Sequence, residues 1–108
     1  MSATMDILNP STAEVIEQVP AGTAEDVDAA VETAKDALPD WLDSTPGERA
    51  EILLKLADLI DENTEELAKI ESTNVGKPLS YARDEMPVCA DNIRYFAGIE
   101  STNVGKPL

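Results

Sequence analysis

Histidine is absent from this 108-residue sequence, and cysteine occurs once, as Cys89. Without histidine, imidazole-based triads, imidazole metal sites and the commonest general base are all excluded. One cysteine cannot form an internal disulfide, and the first residues show neither a basic start nor an apolar signal-peptide stretch. We therefore expect a cytoplasmic location. The longest purely aliphatic run, Ile52-Leu53-Leu54, is far too short to cross a bilayer.

Basic residues are also scarce: 8 Lys and Arg stand against 22 Asp and Glu, which gives a net charge of −14. Such a surface repels phosphate backbones and anionic lipids, so nucleic-acid binding and membrane-surface roles are disfavoured. The acidic residues recur through every predicted helix, a pattern typical of proteins adapted to concentrated salt. Screening shortens the range of repulsion from about 10 Å at 0.1 M to about 3 Å at 1 M. We therefore predict that added salt compacts the chain.

The pattern of apolar residues predicts a β-hairpin followed by four helices. Apolar-rich runs on either side of the turn residues Asn9-Pro10-Ser11-Thr12 indicate a hairpin over residues 5–20. Helices are expected at about 23–38, 46–62, 64–74 and 80–98. The expected buried stripes of the first two helices are Val27, Ala30, Val31, Ala34 and Leu38, and Leu53, Leu56, Ala57 and Ile60.

The ends of these helices have local signals. Thr23 is expected to cap the first helix, and Pro39 to end it. Thr45-Pro46-Gly47-Glu48 has the sequence of a capping box with proline at the first helical position. Gly76 and Pro78 stop the third helix. Pro87 either kinks the last helix or restarts it, and the sequence does not decide between these two.

One ten-residue string occurs twice, at 70–79 and at 99–108, although the residues before the two copies differ. A repeat fold requires several diverged copies of a whole supersecondary unit, which is not the pattern here. We interpret the second copy as a sequence duplication or a gene-assembly fault. Residues 1–98 are then one unit, and 99–108 are not expected to be a domain element.

Candidates for chemistry on this chain are few. Cys89 lies between Val88 and Ala90, and we interpret it as a small apolar side chain in a helix rather than a nucleophile. Gly76-Lys77 lacks the remaining glycine and hydroxyl residues of a phosphate-binding loop. The adjacent pair Glu65-Glu66 is interpreted as part of a solvated helix face.

Five landmarks in a fixed order resemble the amino-terminal segment of aldehyde dehydrogenases, over residues 6–98. They are Asn9-Pro10, Trp41, Thr45-Pro46-x-x-Arg49, Gly76-Lys77-Pro78-Leu79 and Arg94-Tyr95-Phe96-Ala97-Gly98. The resemblance implies an α/β parent fold, of which this segment is the mostly helical part with the hairpin. Relatives usually have glycine where this chain has Ala13, so their tight turn is in question here.

The resemblance also implies an activity: NAD- or NADP-dependent oxidation of aldehydes to carboxylic acids by a homodimer or homotetramer. The catalytic cysteine of the family lies in a later motif, so no catalytic and no cofactor-binding residue is expected here, and neither cofactor is expected to bind this segment alone. By alignment from Arg94, Glu85 and Val88 would face the aldehyde entrance tunnel. Ile7, Leu8 and Asn74 match positions that hold a structural monovalent cation in many relatives, although Asn74 replaces a carboxylate.

The runs 71–79 and 84–87 look most like the aminobutyraldehyde and betaine-aldehyde branch, which suggests aldehydes that carry an amino or ammonium group. A carboxylate such as Glu85 would attract that cation. The alternative is a stand-alone acidic helical module for interaction or carrier work without catalysis. An acyl-carrier role would need an Asp-Ser-Leu attachment site, whereas Ser44 lies in Asp43-Ser44-Thr45.

Overall fold

The computed structural model describes residues 3–102, and within them it shows the expected hairpin and four helices. Strands β1 (Thr4–Leu8) and β2 (Val15–Pro20) pair antiparallel, with an irregularity in register between Ile7 and Leu8. The helices that follow are α1 Ala24–Asp43, α2 Pro46–Glu62, α3 Thr64–Val75 and α4 Leu79–Thr102.

The turn of the hairpin forms despite the missing glycine. The amide of Ser11 donates to the Asn9 side-chain oxygen at 2.9 Å, and the amide of Ala13 donates to the Asn9 carbonyl at 2.7 Å. Ala13 takes a positive φ of 61°, the left-handed region that costs an alanine about 1–2 kcal/mol. The hydrogen bonds of the turn therefore hold a backbone conformation that alanine disfavours.

Both expected N-caps are present. The hydroxyls of Thr23 and Thr45 accept from the amides of Asp26 and Glu48, and each carboxylate in turn accepts from the amide of its threonine. These hydrogen bonds to the charged form lower the pKa of Asp26 and of Glu48. Capping sequences thus determine where α1 and α2 begin.

Two expected helix ends were wrong. Helix α1 does not stop before Pro39 but continues to Asp43, because a proline inside a helix removes only one backbone hydrogen bond. The helix ends instead at the cap residue Ser44, whose hydroxyl donates to the Trp41 carbonyl. Helix α4 runs without a restart through Pro87 and past Gly98 to Thr102. Residues 99–102 therefore belong to α4, as their copies 70–73 belong to α3. The rest of the second copy lies outside the described residues.

The core among the residues with described burial consists entirely of alanines, and it lies where α4 packs against α2 and α3. Its members are Ala50, Ala57, Ala68, Ala82, Ala90 and Ala97. The larger aliphatic side chains that were expected to form buried stripes are not buried: Leu56 of α2 is 45% exposed, and none of the twenty residues of α1 is buried. Only Ala57 of the two expected stripes is in the core.

The molecule is extended for its length. Its radius of gyration is 18.2 Å, whereas a compact domain of this size has about 13 Å. Helix α1 packs only weakly on the other elements. In the described part of the chain, no helix is long and apolar enough to span a bilayer.

Candidate functional site

The turn of the hairpin meets the end of α3, which brings two of the sequence landmarks together. Gly76 ends α3 in the left-handed conformation with φ 77°, and a Cβ placed on it would lie 2.9 Å from Cγ of Pro10. A side chain at this position would therefore be strained in its backbone and would collide with the proline ring. The Asn-Pro and Gly-Lys-Pro landmarks form one structural joint.

A second joint connects α1 to α2. The guanidinium of Arg49 donates to the carbonyl of Ser44, and more weakly to the carbonyl of Trp41 at 3.5 Å. These carbonyls lie at the end of α1, where the last backbone acceptors have no partner within the helix. Arg49 therefore fixes the turn between the two helices through backbone carbonyls at the end of α1.

A hollow of about 340 Å³ lies between the hairpin and α3, and its walls are mainly apolar. Its lining residues are Ile7, Ile16, Glu17, Lys69, Ile70, Thr73 and Asn74. Two of the three predicted cation ligands, Ile7 and Asn74, thus share one hollow, whereas Leu8 is not in its lining. No cluster of three His, Cys, Asp or Glu side chains that could hold a metal occurs among the described residues.

The available oxygens suit a monovalent cation better than a divalent one. Asn74 and the carbonyls of Ile7 and Leu8 are neutral donors, and the one carboxylate in the lining of the hollow belongs to Glu17. Hard divalent cations are held by several oxygens, with carboxylates prominent among them. The cation site therefore stays a prediction, with a donor set that could hold only a weakly bound ion.

Glu85 and Val88, which were predicted to face the aldehyde tunnel, lie about one turn apart on α4. Glu85 is already part of an ion pair. The ammonium of Lys77 forms an ion pair with the carboxylate of Glu85, and a second one with Glu71 at 3.3 Å. The hydrogen bonds to Glu85 and then Glu71 raise the pKa of Lys77. Val88 is exposed, as is Cys89 beside it. The positions share a solvent-facing side of α4, and Lys77 offsets the charge of Glu85.

Two arginines of α4 form ion pairs with carboxylates of α2 and α3. The Arg83 guanidinium donates both to Oε2 of Glu65 at 2.8 Å and to Oε1 at 2.7 Å. That bidentate contact lowers the pKa of Glu65 to about 2. Arg94 donates to Asp58 at 2.9 Å and to Asp61 at 2.6 Å, and its pKa is raised, chiefly by Asp61.

Sequence reasoning missed these pairs. Glu65 was interpreted only as part of a solvated face; it is exposed, but it also anchors α3 to α4 through Arg83. Arg94 was known only as a landmark, and the structure gives it a role between α2 and α4. Because the partners are 18 and more residues apart, neither helical spacing nor a local motif could have indicated them.

The joints described above are made by the landmark residues, and the sequence profile of the aldehyde dehydrogenase family matches residues 1–106. The chain belongs to the aldehyde dehydrogenase family. Among curated relatives, the 2-aminomuconic semialdehyde dehydrogenase of Danio rerio is 45% identical over 96 residues, which are 88% of this chain and 20% of that protein. The human protein of the same name is 39% identical, again over 88% of this chain and 20% of the relative.

Solved structures of the family give the same result. PnpE in complex with nicotinamide adenine dinucleotide superposes with a TM-score of 0.90 at 42% identity, over 93% of this chain and 21% of that one. PnpE from Pseudomonas sp. WBC-3 superposes with a TM-score of 0.87 at 43% identity, over 90% and 20%. Betaine aldehyde dehydrogenase from Staphylococcus aureus superposes with a TM-score of 0.88 at 32% identity, over 98% and 22%. The chain spans about a fifth of the length of these relatives.

Several of the aldehyde dehydrogenase landmarks in this chain have structural roles. Thr45 caps α2, Arg49 holds the turn before it, Gly76 accommodates Pro10, and Arg94 bridges α2 and α4. The role of Gly76 depends on its left-handed backbone, and those of Arg49 and Arg94 on several donors of one guanidinium. These four landmark residues help to hold the hairpin turn and the helices of this chain in place.

Proposed function

We propose that this chain serves as the amino-terminal segment of an NAD- or NADP-dependent aldehyde dehydrogenase that oxidises aldehydes to carboxylic acids. The observation that carries the proposal is the superposition on PnpE in complex with NAD, at 42% identity and a TM-score of 0.90 over 93% of this chain. A match of that quality covers the hairpin and the helices together rather than one common motif. The proposed enzyme is a homodimer or homotetramer, as its family resemblance implies.

In this proposal the segment is a scaffold, and it neither binds the cofactor nor catalyses the reaction by itself. Three of its cations, Arg83, Arg94 and Lys77, form ion pairs with carboxylates of neighbouring elements. Its one thiol, Cys89, is exposed on α4, and the sequence has no histidine to activate it. The nicotinamide cofactor of the proposed enzyme accepts hydride, and the residues that hold it would belong to polypeptide outside this segment.

We further propose that the aldehyde carries an amino or ammonium group. Supporting this, the relatives at higher identity are named for 2-aminomuconic semialdehyde, and a structural relative is named for betaine aldehyde. Glu85 and Val88 share one side of α4, so a carboxylate and an apolar side chain are available to one substrate. Lys77 would reduce the attraction of Glu85 for a cation, because the two form an ion pair.

The experiment is a chimera in which residues 6–98 replace the matching segment of the Danio rerio 2-aminomuconic semialdehyde dehydrogenase. We expect the purified chimera to reduce NAD in the presence of the host's substrate, because the segment supplies the same scaffold. The controls are the host enzyme and the 108-residue chain alone. A folded chimera with no activity would contradict the scaffold role, and aldehyde-dependent NADH formation by the chain alone would contradict its catalytic inactivity.

A further inference from the structure

The first copy of the repeated string, residues 70–79, contains the part of α3 that meets the hairpin. Its Gly76 leaves room for the ring of Pro10, since a Cβ on that glycine would lie 2.9 Å from Cγ of the proline. Three further members of the string line the hollow opposite the hairpin: Ile70, Thr73 and Asn74. The string therefore carries both the glycine and most of the α3 side of the hollow.

The second copy, residues 99–108, has the same ten residues in the same order. A buried alanine stands two positions before each copy, Ala68 in α3 and Ala97 in α4. Residues 99–102 are also helical, as residues 70–73 are. Because the contact with the hairpin depends on these side chains and on a glycine that tolerates positive φ, the second copy offers the hairpin a chemically identical partner.

The hairpin is held only loosely by the helices of its own chain. Neither strand makes more than minor contact with any helix, whereas α4 packs extensively against α2. Residues 21–23 join the hairpin to α1, which itself packs weakly on the other elements. Release of the hairpin from α3 therefore breaks few contacts, and the same contacts can form again at a second copy of the string.

The second copy in the same molecule lies far from the hairpin. Helix α4 begins at Leu79, three residues after Gly76, and at 1.5 Å per residue Ile99 lies about 30 Å further along it. Exchange between two molecules avoids this distance, and the swapping of an identical element is a low-cost route to a dimer. We infer that residues 99–108 of one molecule dock against the hairpin of a second copy of this chain, in place of residues 70–79.

Two effects set the concentration at which this exchange occurs. The first copy competes within its own chain at an effective concentration on the order of 1 mM, so half-exchange is expected near that protein concentration. The net charge of −14 opposes association, although the string itself has one glutamate and one lysine and is neutral. Salt at about 1 M screens the repulsion between chains and favours the dimer. The inference concerns the chain itself and does not depend on the proposed function.

The test uses the identity of the two copies, because the same substitution can be made in either one. Gly105→Ala alters the second copy, and Gly76→Ala alters the first, where the new Cβ meets Pro10. The left-handed backbone disfavours alanine, so each change should weaken docking of the altered copy about tenfold. Sedimentation equilibrium in about 1 M KCl gives the dimer dissociation constant of each full-length chain.

We expect Gly105→Ala to raise the dissociation constant about tenfold and Gly76→Ala to lower it about tenfold, because the latter weakens the competitor within the chain. The double variant weakens both copies and should return to the value of the unsubstituted chain. If Gly76→Ala associated only because it unfolds, the double variant would associate equally strongly, and the inference would be overturned. Shifts in one direction for both single variants, or no dimer at several millimolar, would also overturn it.

A second measurement uses the unsubstituted chain and does not require Gly76→Ala to fold. A synthetic peptide of residues 99–108 should shift the NMR amide signals of the hairpin turn, residues 9–13, with half-saturation on the order of 1 mM or above. The same peptide with Gly105→Ala should require about tenfold more for equal shifts. Equal shifts at equal concentrations of the two peptides, or none at several millimolar, would contradict docking at the hairpin.

Discussion

Helix α1 and the group formed by α2, α3 and α4 have equally good local signals but very different packing. Both α1 and α2 begin with a complete capping box, and both have apolar residues at helical spacing. Yet α1 buries none of its side chains, whereas α2, α3 and α4 share a buried row of alanines and two arginine-centred ion-pair clusters. Local sequence therefore determines that a helix forms here, and the surrounding polypeptide determines whether its apolar face is covered.

The largest expected effect is that of enlarging a core alanine. Ala57 of α2 is fully buried where the backbones of α2 and α4 approach closely, so Ala57→Leu should lower the free energy of unfolding by about 1–3 kcal/mol. The matched change on α1, Ala34→Leu, adds the same atoms at an exposed position and should alter stability by less than about 0.5 kcal/mol. Urea denaturation followed by circular dichroism measures both. Equal losses would mean that α1 is packed as tightly as α2.

The next effect concerns the joint between the hairpin and α3. Gly76→Ala should cost about 1–2 kcal/mol for the left-handed backbone alone, and the contact with Pro10 at 2.9 Å adds to that cost. Gly47→Ala is the control, because a Cβ there meets nothing closer than 4.0 Å and the helical backbone favours alanine by up to about 1 kcal/mol. The thermal midpoints of the two variants should move in opposite directions. Thermal midpoints that move in the same direction would show that the joint at Gly76 does not require glycine.

Structural features that depend on residues nearby in the sequence were predictable, and contacts with distant partners were not. The capping boxes at Thr23 and Thr45 and the stop at Gly76 depend on neighbours within a few positions, and all three are confirmed. The aliphatic stripe of α1 was predicted to be buried and is exposed, because periodicity reports an apolar face without saying what covers it. For the candidate site, Ile7 and Asn74 share a hollow, but the pairing of Glu85 with Lys77 depends on how α3 meets α4.

A smaller effect is expected from acid, and at the joint between α3 and α4 it acts through Glu65. The pKa of Glu65 is lowered from 4.5 to about 2 by Arg83, so this pair stabilises the fold fully above pH 4.5 and progressively less as the pH falls towards 2. Arg83→Gln should raise the titration midpoint of Glu65 towards 4.5. Lys69→Gln, which removes the more distant partner at 3.6 Å, should raise it less. Carboxyl chemical shifts in an NMR titration give both midpoints, and equal shifts in the two variants would contradict the bidentate contact.

The smallest expected effect is that of salt, and it should stabilise α1 more than the other three helices. Helix α1 has seven carboxylates, one lysine and no basic residue in its last turn, where Asp40 and Asp43 face the negative end of the helix dipole. Screening this repulsion at about 1 M salt should raise the helicity of α1. The attractions of Arg83 and Arg94 for their carboxylates are screened by the same ions, so α2, α3 and α4 should gain nothing or loosen slightly. Circular dichroism with segment-resolved hydrogen exchange in increasing KCl separates the two responses, and helicity that stays constant with salt would show that repulsion within α1 does not limit its folding.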